Sequence, residues 1–294
     1  MRLVAFSRPP ALVVASRRGF FADEGLEVSF TPTASSRAQL DALLAGDHDV
    51  AHTAADNVVA RVDAGADLRI VLVADRGVRH RLIGAPAVGT LGALAGRRLG
   101  VDAPESGHAI LAYVLLAEAG VARGGCEIVA VGSTRERSAA LLDGRIDAAM
   151  LNAPHDERAI AAGCHVLADA AARFPRHPGL TVAATRAWSA AHPVELEAYC
   201  RALLRGARFA ADPANRGAVI ADLAADQGLA AREAERVYER ERQGDVPAIH
   251  EMADAVASVC EARRAAGLAH GPFDVQRYFD PSYVQAAEAA GGRR

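Results

Sequence analysis

Short polar segments follow each apolar run of this chain, and their side chains are the ones that could do chemistry. Ser7 and Arg8 come after the first run, Ser35 and Ser36 after the second, and Thr53, Asp56 and Asn57 after the third. Farther on stand Glu105, Ser106, Gly107 and His108, then Ser133, then Asn152, Ala153 and Pro154. In parallel α/β sheets a ligand sits beyond the carboxyl ends of the strands, against helix N-termini whose free N–H groups favour acceptors. Ser106-Gly107 is the strongest of these sites. A serine with neighbouring backbone N–H groups at a helix start can hold a carboxylate, sulfonate, phosphate or polarised carbonyl; its other role is an ordinary cap contributing about 1 kcal/mol. The same two roles are open to Ser35 and Ser36. Thr53 and Asn57 could face a cleft, Asp56 could pair with a cation or cap its helix, and Arg8 and Arg76 could each grip an anion or stay solvated.

Histidine is plentiful, and His52, His80, His108 and His155 fall near the same strand ends. An imidazole there can act as general base or hydrogen-bond partner at neutral pH. None stands in an HxH or HExxH spacing, so no metal site is expected. The chain contains no lysine, which excludes Schiff-base catalysis. It shows no GxSxG elbow, no GxxxxGK loop and no convincing GxGxxG, and no cofactor is expected. Cys126, Cys164, Cys200 and Cys260 lie far apart and read as small buried apolar groups.

The elements that must position these groups alternate. Strands are predicted over 2–6, 26–32, 49–52 and 70–74, with helices over 9–18 and 37–45 and another starting in 53–56. Residues 80–84 read as a strand leading into a Gly- and Ala-rich linker. A second series follows: strands over 98–101, 127–131 and 148–151, helices over 106–119 and 134–142. Residues 180–184 read as a strand returning the chain to the first half. Beyond them helices are expected over 193–211, 216–226, 231–240 and 247–266. Each half also carries one short pattern. Leu43, Leu44, Gly46 and Asp49 correspond to Leu141, Leu142, Gly144 and Asp147: a helix end, a glycine that stops it, and a buried strand. The two aspartates read as structural anchors. The copies are too far apart for a solenoid, and they predict two similar lobes facing across a cleft.

Composition agrees with that layout. A chain of 294 residues, 51% hydrophobic and 23% charged, has core enough for one large or two medium domains. A formal net charge of −3 gives no reason to expect nucleic acid or an anionic membrane as partner. No apolar run approaches the roughly 18 residues of a membrane span. Leu3 to Phe6 is too short for a secretory core and is cut off by Arg8-Pro9-Pro10. The chain therefore reads as cytoplasmic as written, and as periplasmic or extracellular if an export leader has been trimmed away.

With these elements in order, the chain resembles the type II periplasmic-binding-protein superfamily, in the branch of aliphatic-sulfonate and thiamine-pyrimidine binding proteins. The resemblance runs through Arg18-Gly19-Phe20-Phe21 with Glu24-Gly25-Leu26-Glu27-Val28, and through Leu43 to Ala51 followed by Thr53-Ala54-Ala55-Asp56-Asn57. It continues in Gly96 to Val101 with Glu105-Ser106-Gly107, and in Asp212-Pro213-Ala214-Asn215-Arg216. It implies an α/β fold of two lobes, each with a mainly parallel sheet flanked by helices, joined by two hinge strands. Lobe one would span 1–82 plus 178–294 and lobe two 83–177. It also implies a small polar or aromatic ligand closed between the lobes by hinge motion, with an ABC transporter permease as a further partner. The expected ligand contacts are Ser7, Arg8, Ser35, Ser36, Thr53, Asn57, Ser106, Gly107, His108, Ser133 and Asn152. The alternative is a cytoplasmic enzyme on the same fold, a lyase (decarboxylase or dehydratase) acting on a small carboxylate, with His108, Glu105, Asp56 and His52 as acid–base candidates.

Overall fold

The computed structural model describes residues 1–75, 77–241, 248–269 and 273–291. Among the described residues, ten strands form two separate five-stranded sheets. The first holds β1 (Arg2–Ala5), β2 (Ser29–Pro32), β3 (Val50–Thr53), β4 (Leu68–Val73) and β10 (Thr181–Thr185), in the order β2-β1-β3-β10-β4. The second holds β5 (Arg81–Gly84), β6 (Arg98–Val101), β7 (Glu127–Ala130), β8 (Ala148–Leu151) and β9 (His165–Asp169), in the order β7-β6-β8-β5-β9. The sheets share one plan. Three neighbouring strands run parallel, and the strand entering from the other half, β10 or β5, lies antiparallel between its neighbours. The two-lobed, mainly parallel α/β architecture is therefore present, with one reversed strand in each sheet.

The repeated Leu-Leu-Gly-Asp pattern explains how each sheet is aligned. Gly46 and Gly144 adopt φ of 80° and 70°, the left-handed conformation that ends a helix cheaply only at glycine. Leu43 and Leu141 turn into their cores, whereas Leu44 and Leu142 are exposed. The aspartates then tie strand starts together. Asp49, just before β3, accepts from the backbone N–H of Arg2 at 2.6 Å and from its guanidinium, so β1 and β3 begin side by side. Asp147 does the same with Arg98, whose backbone N–H and Nε both donate at 2.9 Å, and so aligns β6 with β8.

Lobe one has the larger core. The long helix Pro193–Ala211 lies on the helix Pro10–Arg17, and Gly206 permits the approach: a Cβ there would stand 2.3 Å from the Ala11 carbonyl oxygen. Residues 74–75 and 77–80, and the segment 170–180, lie between the sheets. Asp75 binds them together, accepting from the Leu180 N–H at 2.7 Å and from Arg79 at 2.7 Å. Gly179 leaves room for this, since a Cβ would meet Asp75 Oδ1 at 2.1 Å. Helix Ile249–Ala265 spans the junction, with Met252 and Val256 in the first core and Ala262 in the second.

Two kinds of element escaped the sequence. The edge strand β9 exposes most of its side chains and so carries no continuous apolar signal. Helices His155–Ala161 and Ser282–Gly291 are short and rich in alanine or charge. The segment just before the second of them is held by a bridge between Phe279 and Ile70 of β4. Among the described residues no helix is long and apolar enough to cross a membrane.

Candidate functional site

A cavity of about 750 Å³ opens between the lobes, at the carboxyl ends of β1, β3, β6 and β8. Its lobe-one wall includes Phe6, Ser7, Arg8, Pro32, Thr33, His52, Thr53 and Asn57. Lobe two contributes Asp102, His108, Ser133, Thr134, Arg135, Arg137, Asn152 and His155, and the crossover adds Asp75, Arg79 and His80. Of the residues expected to touch a ligand, Ser7, Arg8, Thr53, Asn57, His108, Ser133 and Asn152 line this cavity, as does the acid–base candidate His52.

The structure places the remaining candidates away from the lining or outside the described residues. Ser106 is 2% exposed and spends its hydroxyl capping helix Gly107–Glu118, accepting from the Ala109 N–H at 3.3 Å. Gly107 donates its N–H to Asn57 Oδ1 at 3.1 Å and is pressed against lobe one, where an added Cβ would stand 3.0 Å from the Asp56 Cβ. This loop joins the lobes instead of lining the cavity. Asp56 is buried and paired with Arg263 at 3.1 Å. Burial pushes its carboxyl up to about 6, against the pull of the Arg263 guanidinium. Ser35 caps helix Ser36–Leu44 through the Ala38 N–H, Ser36 is buried, and Glu105 is exposed; none of the three is in the lining. Arg76 lies outside the described residues.

Several lining groups were not expected. Asp102 immediately follows β6, so the strand-end rule could have found it, but the neighbouring Ser106-Gly107 drew the assignment. Arg137 reads in sequence as one more solvated helix arginine. Yet it is 3% exposed, donating from Nε and Nη2 to the Met150 carbonyl at 3.3 and 3.2 Å, from Nη2 to Thr134 Oγ1 at 3.1 Å, and from Nη1 to the Gly132 carbonyl. Gln227 and Val237 reach the rim from the C-terminal helices, where no local pattern marks them.

Burial lowers three histidines of the wall, His52, His108 and His155, below the ordinary imidazole value. Burial pushes His52 down to about 3 and His108 down to about 4, the latter with Asp102 opposing and Arg137 assisting. His108 stacks on His80 with ring centroids 3.8 Å apart, and buried His177, also lowered to about 3 by burial, lies on the return segment. Such rings offer hydrogen bonds but are poor proton carriers at neutral pH. His52 Nε2 is occupied by the Tyr199 hydroxyl at 2.8 Å. Ser133 and Glu136 form a capping box, so both are engaged at the start of helix Thr134–Leu142. The four cysteines are buried and lie outside the lining, and no group of three or more metal-ligating side chains stands together among the described residues. The arrangement can surround and orient a molecule with fixed donors, acceptors and charges.

The model of the NMT1-like family matches residues 6–224. The chain is similar in structure to a protein of Bordetella bronchiseptica RB50, with a TM-score of 0.82 and 20% identity over 99% of this chain and 97% of that one. It is also similar to the alkanesulfonate-binding protein of Xanthomonas axonopodis pv. citri (TM-score 0.78, 18% identity, 98% and 96% covered). A third likeness is to the periplasmic nitrate-binding protein of Synechocystis PCC 6803 (TM-score 0.81, 13% identity, 98% and 88% covered). No curated protein matches the chain in sequence.

Proposed function

The chain belongs to the NMT1-like family, and from that premise we propose that it is a ligand-binding component whose lobes close on a small polar or aromatic organic molecule. The observation that carries this is the cleft of about 750 Å³, walled from both lobes by polar groups at strand ends and flanked by two crossover segments. Sites of this kind place a few fixed polar groups on a largely apolar surface, here supplied by Phe6, Pro9, Pro10, Pro32, Leu180 and Val237. Closure is a hinge motion about the two crossovers, at 77–80 and 170–180. The alkanesulfonate- and nitrate-binding neighbours support the same role, and with it delivery to an ABC transporter permease. A component feeding an importer works outside the cytoplasmic membrane, as the periplasmic nitrate-binding neighbour does; an enzyme on this fold needs no export.

Native mass spectrometry of the purified protein tests this. A small organic molecule retained unaltered, and lost from an Arg137→Lys variant, is the expected result. Turnover of that molecule on incubation, abolished by His108→Ala, would replace binding with the lyase reading. Glu105 and Asp56 have no part in either outcome, because neither faces the cavity.

A further inference from the structure

The wall contains two opposite charges that the protein leaves unanswered. Arg137 is 3% exposed and forms no ion pair among the described residues. Its hydrogen bonds go to two backbone carbonyls and one hydroxyl, and one Nη1 hydrogen keeps no acceptor. Holding a guanidinium out of water without a counter-ion is costly. Asp102 is the converse. Neither of its oxygens accepts a hydrogen bond from a described residue, and Oδ1 is buried without a partner. The two groups feel each other electrostatically yet do not touch.

The other ionised groups of the wall are answered from within the protein. Arg8 is paired with Asp226 at 2.8 Å, Arg79 with Asp75 at 2.7 Å, and Glu136 with the Ser133 cap. Arg135 stands at the exposed rim, where water can solvate it. The ring of His108, lowered to about 4 by burial, supplies no positive charge to Asp102 at neutral pH.

Resting on the binding role above, we infer that the cleft recognises a zwitterion, with an oxyanion of the ligand (carboxylate, sulfonate or phosphonate) meeting Arg137 and an ammonium meeting Asp102, while the apolar remainder lies along Phe6 and Pro32. Lobe two then reads the ligand's charges, and lobe one covers its body.

Three matched probes test this by isothermal titration at pH 7: 3-(cyclohexylamino)propane-1-sulfonate, which carries both charges; 4-cyclohexylbutane-1-sulfonate, which lacks the ammonium; and N-propylcyclohexylamine, which lacks the sulfonate. The zwitterion should bind about tenfold or more tightly than either partner probe. Asp102→Asn should bring the two sulfonates to equal affinity, and Arg137→Lys should weaken both by about tenfold or more without changing their ratio. Because the Asp102 carboxylate accepts no hydrogen bond from a described residue, Asp102→Asn should unfold at the wild-type temperature or above it, so a failure to fold cannot mimic the effect. The inference is overturned if 4-cyclohexylbutane-1-sulfonate binds the wild type as tightly as the zwitterion, or if Asp102→Asn leaves their ratio unchanged. It is also overturned if none of the probes binds while the cleft retains a ligand lacking either charge; the binding role would then survive. A protein that binds no probe and retains no ligand removes both.

Discussion

The two lobes use one device to align their sheets and part company at the cleft. In each, a glycine ends a helix and an aspartate ties two strand starts through an arginine, Asp49 to Arg2 and Asp147 to Arg98. At the opposite ends of the same strands, the Arg8, Thr53 and Asn57 side chains of lobe one find partners within the protein. Thr53 Oγ1 accepts from Asn57, Asn57 accepts from Gly107, and Arg8 pairs with Asp226. Among the described residues, lobe two leaves Arg137 without a counter-ion and Asp102 Oδ1 without a hydrogen-bond partner. Repetition in sequence thus marks what builds the scaffold, and recognition lies where the halves differ.

The comparison can be broken first at the junction. Asp56→Ala would strand buried Arg263 without its carboxylate, and should destabilise the protein by about 3 kcal/mol in urea unfolding. Glu118→Ala, which frees an exposed Arg173, should cost less than about 1 kcal/mol. Equal losses would mean that the buried Asp56–Arg263 pair matters no more to the fold than an exposed one.

At the cleft, Arg137→Lys should weaken retention of the natural ligand by roughly 10- to 100-fold, because an ammonium cannot reproduce the fork that spans Met150, Gly132 and Thr134. Arg8→Lys, in the lobe whose charges are already paired, should lose less than about 5-fold. The reverse order would transfer recognition to lobe one.

Acid should also separate the buried rings from the buried carboxyl. His52 and His177 are neutral in the fold, with values lowered by burial to about 3, so the unfolded chain binds their protons first as pH falls below its ordinary 6.5. Each should remove about 2 kcal/mol of stability between pH 7 and 5. Asp56 acts in the opposite sense. Its raised value means that the fold binds the proton more readily than the unfolded chain, so stability is lost as pH rises through about 6 and partly regained on acidification. His108, lowered to about 4, adds a similar loss, so the net expectation is a fall of about 4 kcal/mol from pH 7 to 5, read from urea midpoints, with a shallower slope in His52→Gln. A flat profile would show that these rings already carry water-like solvation.

The smallest effects belong to the shared device. Asp49→Asn and Asp147→Asn should each cost about 1 kcal/mol or less, and by similar amounts, because both pairs are partly exposed. A large inequality would mean that the repeated pattern does unequal work in the two sheets.

The scaffold was legible because its signals are local. Helix ends, glycine stops and apolar strands recur with fixed spacing, and helices Thr134–Leu142 and Pro193–Ala211 and strands β6 and β8 fall where the pattern places them. Part of the cleft was legible through the strand-end rule, which reaches Ser7, Arg8, Thr53, Asn57, His108, Ser133 and Asn152. That rule cannot distinguish a serine that caps a helix from one that meets a ligand, and Ser106 is the former. Nor can it see Arg137, whose burial depends on the Met150 and Gly132 carbonyls folding around it. Gln227 arrives from a helix more than two hundred residues away from the Arg8 carbonyl it donates to.

Closure itself is open to measurement. Spin labels at exposed Arg37 in lobe one and Arg145 in lobe two report the separation of the lobes in solution. In protein stripped of its copurified molecule the separation should lengthen and broaden, then return to one shorter value when that molecule is added back. A single separation that ignores the molecule, with the molecule bound, would show that nothing closes and that the cleft is not a jaw.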